Sequence, residues 1–115
     1  MATDTLNLLA DLREALDRAV EAIVEIAHPR LVILFGSWAE GKAREGSDVD
    51  FVVVADTPEA HRLTVALRRA LSPILQDRDF DVIVTTPELW ERGRKIRGFI
   101  TQEADRYGVR LHEAA

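Results

Sequence analysis

The chain has 115 residues, a formal net charge of -5 and no cysteine, which predicts a single domain over 1–115 and excludes disulfides, cysteine-ligated zinc and thiol nucleophiles. The acidic balance argues against general nucleic-acid binding, because a domain that holds nucleic acid mainly by its phosphates is usually basic. No apolar run is long enough to span a bilayer and the N-terminus lacks a secretion-signal pattern, so we expect a cytoplasmic protein without membrane attachment.

The first half of the chain predicts a helix followed by two strands. Apolar residues recur every three or four positions from Asp4 to His28, which indicates an amphipathic helix that Pro29 ends. The continuous apolar runs 31–35 and 49–55 are too short for helices and are typical of buried strands.

The second half predicts helices around a third strand. Thr57-Pro58-Glu59 supplies an N-cap, a first-turn proline and an acidic residue, so a helix should follow and end near Pro73, with one face formed by Leu63, Leu67, Leu71 and Ile74. Thr86-Pro87-Glu88 repeats this signal. The remaining predictions are a strand over 80–84, a helix reaching Lys95, a break at Gly98, a helix over 99–107 and an edge strand over 109–112. This order predicts an α/β (α+β) fold with a small mixed β-sheet flanked by helices.

Three aspartates stand at the starts of predicted strands. Asp48 and Asp50 are two residues apart and therefore project from the same face of a strand. Asp50 and Asp81 each open an otherwise apolar strand, where an unpaired carboxylate is costly to bury. If these strands are neighbours, the three carboxylates converge, and a cation must offset their mutual repulsion. Hard oxygen ligands suit Mg²⁺, although the aspartates could instead only cap strand ends, and Asp79 is a second candidate for the role of Asp81.

A Gly36-Ser37 turn directly follows the first predicted strand. Gly36 allows a positive φ and close backbone approach, and Ser37 at the start of a helical turn would form an anion site for a phosphate. A plain tight turn is the alternative. The segment 36–42 reads G-x-x-x-x-G-K, but it is not a P-loop, because Ala43 lacks the hydroxyl that binds Mg²⁺.

These features together resemble the minimal nucleotidyltransferases of the DNA polymerase β superfamily, through Gly36-Ser37-x-Ala39-x-Gly41-x(5)-Ser47-Asp48-x-Asp50 and a later Asp81 between apolar residues. The resemblance extends over nearly the whole chain and implies the polymerase-β-like nucleotidyltransferase fold. It implies that Asp48, Asp50 and Asp81 are the catalytic carboxylates and bind Mg²⁺ as two ions, and that Gly36, Ser37 and Ser47 bind ATP. The implied reaction transfers AMP from ATP to a hydroxyl and releases pyrophosphate. Trp38 stands where family members often carry arginine.

The acceptor of the nucleotide is a separate question. Minimal proteins of this kind are similar to the antitoxin of two-gene prokaryotic modules whose toxin is a helical HEPN ribonuclease. The leading hypothesis is therefore adenylylation of a tyrosine on such a toxin partner. The alternatives are a transferase that modifies a small hydroxylated molecule, such as an aminoglycoside, with a helical partner subunit, and a catalytically silent binding module. The sequence does not determine the base preference, the number of nucleotides transferred or the homo- or hetero-oligomeric state. It also leaves open the role of the basic cluster Arg92–Arg97.

Overall fold

The computed structural model describes residues 2–36, 38, 48–76 and 78–114, with side chains from residue 12 onward. The predicted order of helices and strands is confirmed in this part of the chain. The elements are α1 Ala2–Ala27, β1 Leu31–Phe35, β2 Val49–Val54, α2 Ala60–Leu75, β3 Phe80–Thr85, α3 Pro87–Gly93, α4 Ile100–Tyr107 and β4 Val109–Glu113. No helix among these described residues is both long enough and apolar enough to cross a membrane.

The strands form one mixed sheet in the order β3-β2-β1-β4. Strand β1 runs antiparallel to both β2 and β4, whereas β2 and β3 are parallel. The predicted mixed sheet and the edge position of the last strand are thus confirmed. Because β1 ends where β2 and β3 begin, Phe35 pairs with Asp50, and Asp50 pairs with Asp81. The last residue of β1 and the first residues of β2 and β3 therefore lie together along one edge of the sheet, the edge formed by strand ends.

Helices cover both faces of the sheet. Helices α1 and α2 pack on one face, whose fully buried side chains include Ile23, Val32, Phe51, Val53, Leu67 and Leu71. Helices α3 and α4 pack on the other face around Ile33, Val52, Val54, Trp90 and Ala104. Because both faces are covered, β1 and β2 are nearly continuous apolar runs instead of alternating apolar and polar residues.

The two predicted helix starts have different outcomes. The start of α3 is confirmed, since the Leu89 N–H donates to the Thr86 hydroxyl at 3.3 Å and Pro87 is the first helical residue. The predicted N-cap at Thr57 is wrong. Its hydroxyl accepts a hydrogen bond from the Glu59 N–H at 3.1 Å within a tight turn, and α2 begins only at Ala60.

Helix α2 also continues past its proline. Pro73 lies near the C-terminal end of α2, but the helix runs on to Leu75, whose side chain is fully buried in the core. The chain leaves the helix at Gln76, which has a φ of +51°. Tertiary packing of the apolar face therefore decides where this helix ends.

Candidate active site

The described structure brings the three predicted carboxylates to one edge of the sheet. Asp50 and Asp81 are direct partners in the parallel pairing of β2 and β3, and neighbouring strands lie about 4.8 Å apart. Asp48 immediately precedes β2 and is exposed. The expectation that these two strands are neighbours is confirmed. We call the edge that carries Asp48, Asp50 and Asp81 the acidic edge.

Asp50 is the most perturbed group at the acidic edge. Burial raises the pKa of its carboxyl, and the negative charges of Asp48 and then Asp81 raise this pKa further. Asp79, the second candidate, does not contribute to the shift. Its carbonyl accepts a hydrogen bond from the Val49 N–H at 2.9 Å, and its side chain is exposed. The electrostatic coupling thus favours Asp81 over Asp79 as the partner of Asp50.

Gly36 lies against the Asp50 carboxylate. It has a φ of +81°, and a Cβ placed on it would lie 2.7 Å from Asp50 Oδ2. That separation is shorter than real side chains tolerate, and L-residues rarely adopt this φ. The predicted positive φ is confirmed, and glycine at this position keeps open the space beside Oδ2.

Asp81 has a cationic partner that sequence reasoning did not identify. Arg68 Nη2 of α2 forms an ion pair with Asp81 Oδ1, and the Val82 N–H donates to the same oxygen at 2.9 Å. The local sequence places Arg68 on the polar side of an amphipathic helix, next to buried Leu67, where an arginine is usually solvated. Only the packing of α2 beside β3 indicates the contact.

Other predicted site residues have different positions. Ser37 and Ser47 lie outside the described residues, so their contacts with nucleotide stay predictions. Trp38 is partly buried against the core beneath α1 and α2. In the basic cluster, Arg94 has a structural role, because it forms ion pairs with Glu91 at 3.2 Å and Asp105 at 3.6 Å. The other members are exposed: Arg92, Lys95 and Arg97.

The donor chemistry of the acidic edge fits a hard divalent cation. Its carboxylates repel one another, which a cation would relieve, and Gly36 leaves room beside one oxygen. Among the described residues, however, no three potential ligands form a ready-made metal cage. Sites that bind Mg²⁺ commonly use one or two carboxylates and complete the shell with water and substrate phosphates. The residues therefore fit Mg²⁺ held jointly with a nucleotide.

Asp50→Asn is expected to raise the free energy of unfolding at neutral pH. The folded-state pKa of Asp50 lies above its ordinary value of 3.8, so the folded chain binds the Asp50 proton more tightly than the unfolded chain. Stability of the wild type therefore falls as pH rises from 3.8 through the folded-state pKa. The advantage of the variant should therefore vanish below pH 3.8. Urea unfolding of both proteins across acidic to neutral pH, without divalent cations, measures it. A variant less stable than the wild type at neutral pH contradicts the electrostatic account.

Comparison with known proteins places the fold in a family. Residues 5–92 match the family described as polymerase beta, nucleotidyltransferase, and because this match includes most of the chain, the chain belongs to that family. The predicted nucleotidyltransferase fold is confirmed.

Four chains of solved structures also match. One comes from a crystal structure of a toxin-antitoxin with AMP-PNP, with a TM-score of 0.60, 22% sequence identity, and coverage of 84% of this chain and 72% of that chain. At this identity the likeness concerns the fold alone. No curated protein matches the chain significantly.

Proposed function

We propose that the chain is a single nucleotidyltransferase domain over 1–115 that transfers AMP from ATP to a hydroxyl in the presence of Mg²⁺. The observation that carries this proposal is the pairing of Asp50 with Asp81 on parallel strands, with Asp48 close enough to raise the pKa of Asp50. Membership in the polymerase β nucleotidyltransferase family supports the same chemistry.

The aspartates of the acidic edge and the residues around it have different tasks in this proposal. Asp48, Asp50 and Asp81 supply carboxylate oxygens to Mg²⁺, predicted as two ions. These oxygens would hold Mg²⁺, which would supply activation of the attacking hydroxyl and stabilisation of the departing pyrophosphate. Gly36 allows a phosphate to approach the backbone beside Asp50 Oδ2, while Ser37 and Ser47 bind the nucleotide.

The proposed acceptor is a tyrosine of a HEPN ribonuclease toxin, which the chain would silence in the cytoplasm as its antitoxin. The fold likeness to a chain from a toxin-antitoxin structure with AMP-PNP supports a toxin as the partner. A second support is the apolar surface around the turn from α3 to α4, where large apolar side chains are about half exposed: Leu89, Ile96, Phe99 and Ile100. Exposed apolar patches of this kind are typical of protein interfaces. The exposed members of the basic cluster lie in the same segment and favour a partner with acidic groups.

A transfer assay tests the proposal. The chain is incubated with ATP labelled at the α-phosphate, Mg²⁺ and a lysate of the source cells, beside the Asp48→Asn/Asp50→Asn variant. We expect one labelled protein band with the wild type and none with the double variant, with the label on a tyrosine. The exposed Asp79→Asn variant is the matched control, since it also removes a nearby carboxylate, and it should label normally.

The other outcomes discriminate among the alternatives. Label on a small molecule instead of a protein contradicts the antitoxin hypothesis and favours a small-molecule transferase. If the wild type labels nothing and titration detects no binding of Mg²⁺ and ATP, the chain is a binding module and the proposed chemistry is wrong.

A further inference from the structure

The ion pair between α2 and β3 places a positive charge within the acidic edge. Arg68 Nη2 contacts Asp81 Oδ1, and the two side chains are 52% and 51% exposed. Phe80 and Val82, the neighbours of Asp81 in β3, pack on the face of the sheet that α2 covers. Asp81 therefore projects from the opposite face. The guanidinium therefore reaches Asp81 around the outer side of β3, the terminal strand of the described sheet.

Of the three carboxylates, the Arg68 guanidinium forms an ion pair with Asp81 alone. Asp48 and Asp50 form no ion pair with any residue that the structure describes. Asp81 Oδ1 receives both Arg68 Nη2 and the Val82 N–H, which leaves Oδ2 as the oxygen with free acceptor capacity. Arg68 therefore both orients the Asp81 carboxylate and offsets part of the negative charge of the acidic edge.

A positive charge at this position acts oppositely on the two forms of ligand that can approach. A bare divalent cation is repelled by Arg68 and must compete with it for Asp81. A divalent cation bound to a nucleoside triphosphate carries net negative charge, because the triphosphate outweighs the metal, and it is attracted by the same guanidinium.

We propose that Arg68 is a positioning residue that makes the acidic edge selective for a cation–nucleotide complex over the bare cation. The proposal rests on the proposed function, because it takes the acidic edge as the site where cation and nucleotide bind. It predicts that removing the Arg68 charge strengthens the binding of one ligand and weakens that of the other.

The test compares Arg68→Gln with Arg69→Gln. Arg69 is exposed and forms no ion pair with the described residues, so its variant removes the same charge one residue away without touching Asp81. Mn²⁺ binding without nucleotide is measured from the electron paramagnetic resonance of free Mn²⁺, and binding of Mg²⁺·AMP-PNP is measured by calorimetry. For Arg68→Gln we expect Mn²⁺ to bind about three- to fivefold more tightly and Mg²⁺·AMP-PNP about three- to fivefold more weakly, a modest effect because the pair is solvent-exposed. Arg69→Gln should change neither by more than about twofold.

A purely structural role predicts a different pattern. If Arg68 only stabilised the fold, Arg68→Gln would weaken both ligands together, and Arg68→Lys, which keeps the charge, would not restore the order of affinities. Either result overturns the proposal, as do equal effects of Arg68→Gln and Arg69→Gln. Because exposed pairs contribute little to stability, all three variants should fold, which circular dichroism verifies.

The same measurements separate this inference from the proposed function. Asp50→Asn should abolish Mn²⁺ binding to the acidic edge. If the wild type binds Mn²⁺ no better than Asp50→Asn, the proposed function fails at the metal site itself. If Asp50→Asn abolishes binding but Arg68→Gln leaves both affinities unchanged, only the role of Arg68 is wrong.

Discussion

Asp50→Asn is expected to lower the rate of nucleotidyl transfer by about a thousandfold, the size of effect seen when one preorganised charge-stabilising group is removed from an active site. Asparagine keeps the shape of the side chain but supplies no negative charge to a divalent cation, and Asp50 is the residue whose pKa responds to both other carboxylates. The rate of label transfer from α-labelled ATP to the acceptor protein measures the loss. Because the variant should be at least as stable as the wild type at neutral pH, unfolding cannot account for it.

Neighbouring aspartates provide the control for this prediction. Asp81→Asn should lose transfer as Asp50→Asn does, whereas Asp79→Asn should keep nearly all of it, although only one residue separates the two positions. The reason is that Asp81 is the β3 partner of Asp50, while Asp79 is exposed and precedes the strand. If Asp79→Asn removes transfer and Asp81→Asn does not, the assignment of the third carboxylate is wrong.

Gly36→Ala should lower transfer by about a hundredfold, because displacement of a catalytic group by about 1 Å has an effect of that order. Its new Cβ would lie 2.7 Å from Asp50 Oδ2, so the carboxylate must move. The positive φ of +81° adds backbone strain of about 1–2 kcal/mol. Transfer rate and urea unfolding of the same preparation measure the two effects separately.

Gly98 offers the matched variant. It also has a positive φ, +89°, but a Cβ there meets nothing within 4 Å. Gly98→Ala should therefore lose comparable stability and retain binding of Mg²⁺·AMP-PNP, a readout that does not involve the α3–α4 surface proposed to contact the partner. If Gly36→Ala and Gly98→Ala weaken that binding equally, or if both retain it, the close approach of Gly36 to Asp50 has no importance for the site.

The sequence predicts most of the architecture because its local signals agree with the tertiary environment. The runs 31–35 and 49–55 are apolar on both faces, as strands covered on both sides must be. The Thr86 hydroxyl accepts from the N–H three residues on and caps α3, whereas the Thr57 hydroxyl accepts from the N–H two residues on, within a tight turn. The same Thr-Pro-Glu signal thus starts a helix in one place and a turn in the other.

Local sequence patterns do not predict features that depend on packing between distant segments. In α1 the apolar stripe predicted between Asp4 and His28 includes Leu16 and Val20, which are only partly buried, whereas Ala15 and Ala19 are buried. Alanine contributes little to an apolar pattern, yet its small size favours close packing of α1 on α2. The pairing of Arg68 with Asp81 likewise joins a helix to a strand across the sheet edge, and no spacing rule in the sequence indicates it.

The candidate site divides in the same way. Alternation in a strand predicts that Asp48 and Asp50 share a face, and the parallel pairing adds Asp81 beside them. Two further features come from the tertiary structure. These are the positive charge of Arg68 beside Asp81 and the close approach of Gly36 to Asp50. The roles of Ser37 and Ser47 stay predictions from the motif.

The most direct test of the account is a crystal structure of the chain with Mn²⁺ and AMP-PNP, read through the anomalous scattering of manganese. We predict an anomalous peak at the acidic edge, in contact with carboxylate oxygens of Asp50 and Asp81, with the triphosphate beside Gly36. Manganese and nucleotide bound together elsewhere on the molecule, or nucleotide bound with no manganese at Asp48, Asp50 and Asp81, would contradict the claim that this edge is the nucleotidyl-transfer centre.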